Sequence, residues 1–137
     1  MSVTEEKFKI LIVDDVPGNI KTLADILRDD YKILMATSGE KALEAIYSQD
    51  VALVLLDVEM PEMNGYEVCK KLKSDKATAD IPVIFVTANT DKKKMVKGIV
   101  AGAIYYLTKP VNKNELRMLV LNILKSSNYF SPQSVQT

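Results

Sequence analysis

The chain has 137 residues, 47% of them hydrophobic and 26% charged, which is the size and balance of one globular domain and excludes disorder or a coiled coil. Lys plus Arg and Asp plus Glu both number 18, so there is no overall basic field for a phosphate backbone and nucleic acid is not an expected partner. With no histidine and a single cysteine, Cys69, these residues exclude an internal disulfide, thiolate or imidazole metal sites, and Ser-His or Cys-His nucleophiles.

What remains for chemistry is carboxylates, hydroxyls and lysines, a set suited to a hard, oxygen-liking cation and to phosphate. No apolar run approaches the roughly 18 to 20 residues that cross a bilayer, and residues 1–9 are too polar for a signal peptide, so a cytoplasmic location is expected.

Short runs rich in Val, Ile and Leu alternate with stretches of helical periodicity, five times over. The expected strands are 8–13, 32–36, 52–56, 83–86 and 105–107, the first, third and fourth continuously apolar as in strands covered on both faces. Helical stripes follow in turn. Ile20, Leu23, Ala24 and Leu27 form the first, Ala42, Leu43 and Ile46 the second, and Val68, Cys69 and Leu72 the third. Met95, Val96 and Ile99 mark the fourth, with Lys92-Lys93-Lys94 as its solvated start. Leu116, Leu119, Val120, Ile123 and Leu124 form the fifth, led by Asn112 and Glu115 in capping-box spacing. Residues 126–137 are polar and aperiodic and read as a frayed end or the start of a linker. Alternating βα units with short connections predict right-handed crossovers in a parallel sheet, with ligands beyond the carboxyl ends of the strands.

Those ends carry the reactive side chains. Asp14 and Asp15 follow the first strand, Asp57 the third, Thr87 ends the fourth, and the fifth runs into Lys109 and Pro110. Taken singly, an Asp pair is commonly a helix cap, a threonine a strand residue and a lysine a surface group. Asp57 is harder to explain as structure, because a carboxylate closing so apolar a run is costly to bury. Jointly they predict a site. Three converging carboxylates repel one another unless a cation is present, and Mg²⁺ suits one or two carboxylates, several waters and a phosphoryl oxygen. Lys109 and Thr87 would serve the other phosphoryl oxygens. The five glycines are scattered, and neither a P-loop nor a dinucleotide fingerprint is present.

The stretches Ile10-Leu11-Ile12-Val13-Asp14-Asp15, Leu55-Leu56-Asp57-Val58-Glu59-Met60-Pro61-Glu62-Met63-Asn64-Gly65, Pro82-Val83-Ile84-Phe85-Val86-Thr87-Ala88 and Tyr106-Leu107-Thr108-Lys109-Pro110 together resemble the receiver domain of two-component response regulators. The resemblance spans Phe8 to Ser126. It implies a flavodoxin-like (βα)5 three-layer α/β sandwich with sheet order 2-1-3-4-5, a receiver domain over residues 1–126, and a flexible tail or linker start over 127–137. It also implies that Asp57 is the phosphoacceptor for a phosphohistidine on a sensor histidine kinase or histidine phosphotransfer protein. Asp15 and Asp57 would ligate Mg²⁺ directly, Asp14 through a bound water, and the Glu59 backbone carbonyl would complete the protein ligands. Thr87 and Lys109 would hold the phosphoryl oxygens, the Lys109-Pro110 bond would be cis, and Tyr106 would swing inward as Thr87 moves. The output would be a changed helix-four, strand-five, helix-five surface acting on an effector domain or partner. Glu59 and Asn89 would flank the water that later removes the phosphoryl group, Glu59 either positioning or repelling it.

Two features depart from the pattern or compete with it. Where receivers often carry acidic residues, this chain reads Gly102-Ala103-Ile104-Tyr105-Tyr106. With Val100 and Met118, these residues form an apolar patch for a partner or a second copy, or are packed under the adjacent helices, and sequence alone leaves both readings standing. Function likewise divides into a phosphorylation-dependent signalling switch with no external turnover substrate, a Mg²⁺-dependent phosphohydrolase of the haloacid-dehalogenase type with Glu59 as acid, and a scaffold. The first is expected, because every site residue is intact and there is little room for a cap.

Overall fold

The computed structural model describes residues 7–129. Strands β1 (Lys9–Val13), β2 (Lys32–Ala36), β3 (Val51–Leu56), β4 (Val83–Thr87) and β5 (Tyr105–Thr108) alternate with helices α1 (Pro17–Leu27), α2 (Gly39–Ser48), α3 (Gly65–Ser74), α4 (Lys92–Val100) and α5 (Lys113–Tyr129). The sheet is parallel throughout, in the order β2-β1-β3-β4-β5, as expected for the α/β fold.

Period-two alternation sorts the strand residues into two cores. Leu11, Val13, Val54, Leu56, Val83, Phe85 and Tyr106 face one side, where Ala42, Ile46, Val68, Cys69 and Leu72 of α2 and α3 cover them. Ile10, Ile12, Leu53, Leu55, Ile84, Val86 and Leu107 face the other, under Ile20, Leu23 and Leu27 of α1 and Leu116, Val120 and Leu124 of α5. Helix starts are fixed locally. The Ser38 side chain accepts from Lys41 N, Asn64 and Glu67 form a reciprocal capping box, and Asn112 accepts from Glu115 N, each satisfying amides that lack helical partners.

Two expectations need correction. Of the stripe Met95, Val96 and Ile99, Met95 packs against the core but Val96 and Ile99 are exposed, and Gly98 is the helix's one buried residue. A Cβ on Gly98 would lie 2.9 Å from Phe85 Cδ2 and 3.3 Å from Tyr106 Cδ2. Aromatic rings fill the space that an apolar stripe would otherwise occupy. The expected boundary at 126 also falls inside α5, which continues through Tyr129; the rest of the predicted tail lies outside the described residues. Among the described residues, no helix is long and apolar enough to cross a membrane.

Candidate functional site

Sheet register builds the site. Val13 lies beside Leu56, and the Asp57 amide donates to the Val13 carbonyl at 2.9 Å, so Asp14 and Asp57 emerge side by side. One oxygen from each of Asp14, Asp15 and Asp57 lies within 4.8 Å of the others. Asp14 and Asp57 are buried, whereas Asp15 is exposed to solvent. Across the sheet, Thr87 lies beside Thr108 and the Lys109 amide donates to the Thr87 carbonyl at 2.9 Å. This brings Lys109 back toward the carboxylates, and the Lys109-Pro110 peptide is cis as expected. Lys109 Nζ donates to Asp14 Oδ2 at 2.6 Å, while Asp14 Oδ1 accepts from Val16 N at 2.9 Å.

Asp57 is the electrostatically unsettled member. Burial pushes its carboxyl above the usual range and the Asp14 carboxylate adds to this, against the opposing pull of the Lys109 ammonium, the Thr87 hydroxyl and the Glu59 backbone. A buried carboxylate beside another, with one ammonium between two, is short of positive charge. Oxygen-only donors at this spacing suit a hard divalent cation.

The connection after β3 is held close to the site. The Gly65 amide donates to the Val58 carbonyl at 2.8 Å, and a Cβ on Gly65 would collide with the backbone oxygen of Asp57. Only a glycine admits that approach. Glu59 turns its carboxylate to Lys94, at 3.7 Å on an exposed surface. Asn89 donates its amide to Thr87 Oγ1 at 3.4 Å, and its carbonyl accepts from the Tyr106 hydroxyl at 3.2 Å.

Tyr106 is turned inward, 8% exposed, and its hydroxyl is pushed up to about 12, chiefly by burial and then by the neighbouring Tyr66. Thus Asp14, Asp15, Asp57, Glu59, Thr87, Asn89 and Lys109 stand at the carboxyl edge of the sheet or in the connections leaving it, while Tyr106 lies within β5 and reaches the connection between β4 and α4 through its hydroxyl. Sequence reasoning passed over Tyr66, whose place at the second position of α3 reads as an ordinary helix start. A hollow of about 830 Å³ among Lys7, Phe8, Tyr31 and Lys32 lies at the opposite end of the strands and contains none of these groups. Concavity alone would therefore have pointed away from the chemistry.

On the other side of α4, Val96, Ile99, Val100, Ile104 and Tyr105 line an apolar groove of about 580 Å³. Val100 is 81% exposed, and Ile104, Tyr105 and Met118 are also open to solvent. Of the patch considered from sequence, Val100, Ile104, Tyr105 and Met118 are thus exposed among the described residues, whereas Ala103 and Tyr106 are buried.

A doubly wound parallel sheet with an acidic cluster, a threonine and a lysine at its carboxyl edge defines a CheY-like receiver fold. The response regulator receiver domain model matches residues 10–121, and the chain belongs to that family. A relative named "Probable cyclic di-GMP phosphodiesterase" from Vibrio cholerae is 45% identical over 103 residues, 75% of this chain and 23% of that protein. "Histidine kinase P4" from Formosa agariphila is 38% identical over 125 residues, 90% of this chain and 9% of that protein. Among solved structures, a putative response regulator from Chloroflexus aurantiacus is 35% identical, with TM-score 0.83, covering 88% of this chain and 99% of that one. The chain thus spans less than a quarter of those two curated relatives, and the activities in their names belong to proteins with much sequence beyond this match. The family to which it belongs acts as signalling switches in two-component systems.

Proposed function

We propose that this chain is a phosphoacceptor switch in which Asp57 takes a phosphoryl group from a phosphohistidine. The observation that carries the reading is the convergence of Asp14, Asp15 and Asp57 within 4.8 Å, with Lys109 on Asp14 at 2.6 Å. Because the chain has no histidine, the donor is a histidine kinase or histidine phosphotransfer protein, in another molecule or another domain. An Asp57 carboxylate oxygen attacks phosphorus as the bond from phosphorus to the donor's imidazole nitrogen breaks, and the imidazole leaves as the neutral or protonated base. Lys109 exchanges its hold on Asp14 for a phosphoryl oxygen, and Thr87 donates its hydroxyl to another.

Mg²⁺ fits the oxygen-only donor set, with Asp14, Asp15, Asp57 and the Glu59 backbone carbonyl as its holders. When bound it supplies the positive charge that offsets repulsion between two anions and keeps Asp57 ionised. Repositioning of Thr87 favours inward Tyr106 and alters the α4, β5 and α5 surface, where the apolar groove receives an effector domain, a partner or a second copy of the chain. The reading places the protein in the cytoplasm, with no external turnover substrate.

Intact mass after incubation with acetyl phosphate and Mg²⁺ tests it. A single phosphoryl adduct, lost in Asp57→Asn and in metal-free buffer, is the expected result. No adduct together with no beryllofluoride complex would refute it.

A further inference from the structure

Helix α4 is thinly attached to the fold. Its one buried residue is Gly98, and Val96, Ile99 and Val100 face solvent. Its first turn is held by Met95 against the core, by the exposed pair of Lys94 and Glu59, and by α3. The Tyr66 hydroxyl donates to the Lys94 carbonyl at 2.8 Å, and Lys97 Nζ sits over the Tyr66 ring, 4.8 Å from its centroid. The same ring meets Phe85 edge-on, with centroids 5.4 Å apart, and Phe85 lies 6.1 Å from the ring of Tyr106. The three rings thus form a row across α3, β4 and β5 beneath α4, and Gly98 lets the helix rest directly on two of them.

The two ends of this row grip successive parts of one segment. Tyr106 holds the Asn89 carbonyl ahead of α4, and Tyr66 holds the Lys94 carbonyl inside it. If Tyr106 leaves its inward place, Phe85 loses its neighbour and Gly98 loses part of its seat. The Tyr66 bond to Lys94 then loses the ring packing that supports it. We propose that Tyr66 is a positioning residue of the switch, its hydroxyl fixing α4 over Phe85 and Tyr106 so that the state of Tyr106 is carried to the exposed face of the helix. The carrying step rests on the phosphoacceptor reading, because phosphorylation is what moves Tyr106; the hold on α4 does not.

Amide hydrogen exchange tests both, in the unsubstituted chain, Tyr66→Phe and Tyr47→Phe, with and without Mg²⁺ and beryllofluoride. Tyr66→Phe keeps the ring and its contacts. Tyr47→Phe is the control, losing a hydroxyl that bonds Asp75 at 2.7 Å on the surface. In unliganded Tyr66→Phe, α4 amides should exchange about fivefold faster, the factor for one net hydrogen bond. Because that bond is supported while Tyr106 is inward, the state beryllofluoride favours, beryllofluoride should bind more weakly to Tyr66→Phe, by up to about fivefold, although Tyr66 does not touch Asp57. The control and the α1 and α5 amides should not change. Unaltered α4 exchange, or unaltered beryllofluoride affinity with faster exchange, would overturn the role of Tyr66 while leaving Asp57 as acceptor. An unsubstituted chain that binds no beryllofluoride would overturn the phosphoacceptor reading and the carrying step together.

Discussion

Replacing Asp57 by asparagine should stabilise the metal-free protein. The side chains are nearly isosteric, Asp57 is buried, and its carboxyl is raised chiefly by burial and then by Asp14. Two carboxylates with oxygens within 4.8 Å repel by about 3 kcal/mol at an effective dielectric constant near 20. Lys109 already offsets part of this, so a net gain of about 1 to 2 kcal/mol is the reasonable share. A raised carboxyl opposes folding wherever it is charged in the native state, so the gain is full above the folded-state pKa. It shrinks as pH falls through that value toward the unfolded value of 3.8, because the native protein then takes up its proton first. Urea unfolding in chelator at pH 7 and near pH 4 gives both numbers. Equal or lower stability of Asp57→Asn at pH 7 would refute the charge argument, as would a gain that persists undiminished at pH 4. Adding Mg²⁺ should narrow the difference, because a bound cation stabilises only the aspartate form.

Lys109→Ala strands Asp14 without its ammonium at 2.6 Å, and because the lysine is partly exposed the loss should be about 1 to 3 kcal/mol by urea unfolding. Gly65→Ala drives a Cβ into the Asp57 backbone and should cost about 3 kcal/mol or more, read as a fall in thermal midpoint or in soluble yield. Gly98→Ala gains helix propensity of about 1 kcal/mol but presses on Phe85 and Tyr106; net destabilisation, with altered exchange in α4, is the expected result. Val100→Glu, at an 81% exposed position, should leave the urea midpoint within about 0.5 kcal/mol of the unsubstituted chain.

Where local chemistry decides the outcome, the sequence was readable. The apolar runs of β1, β3 and β4 end within a residue of the expected limits, and the Asn112 cap forms as its spacing implies. The placement of the reactive groups was legible for the same reason, since each ends a strand or follows one within two residues. The buried side of α4 was not legible because periodicity detects an apolar stripe but not which side of it is covered, and here a glycine against aromatic rings leaves Val96 and Ile99 in solvent while Met95 packs inward. The bond between Lys109 and Asp14 joins residues 95 apart in sequence, and the reach of Tyr66 to Lys94 depends on how α3 and α4 lie together. Neither leaves a mark in any short window.

The parallel register has a consequence for how such a chain can change. Backbone hydrogen bonds between β1 and β3 and between β4 and β5 set the spacing of Asp14, Asp57, Thr87 and Lys109, so the sheet works as an assembly jig whose tolerance is that of a peptide ladder. A two-residue slip would preserve the alternation of the core and still scatter the reactive groups by more than 6 Å, about two residue rises. Substitutions on the outer faces of the helices leave the jig untouched. The surface that chooses partners can therefore be rewritten residue by residue while the chemistry at the strand ends keeps its geometry.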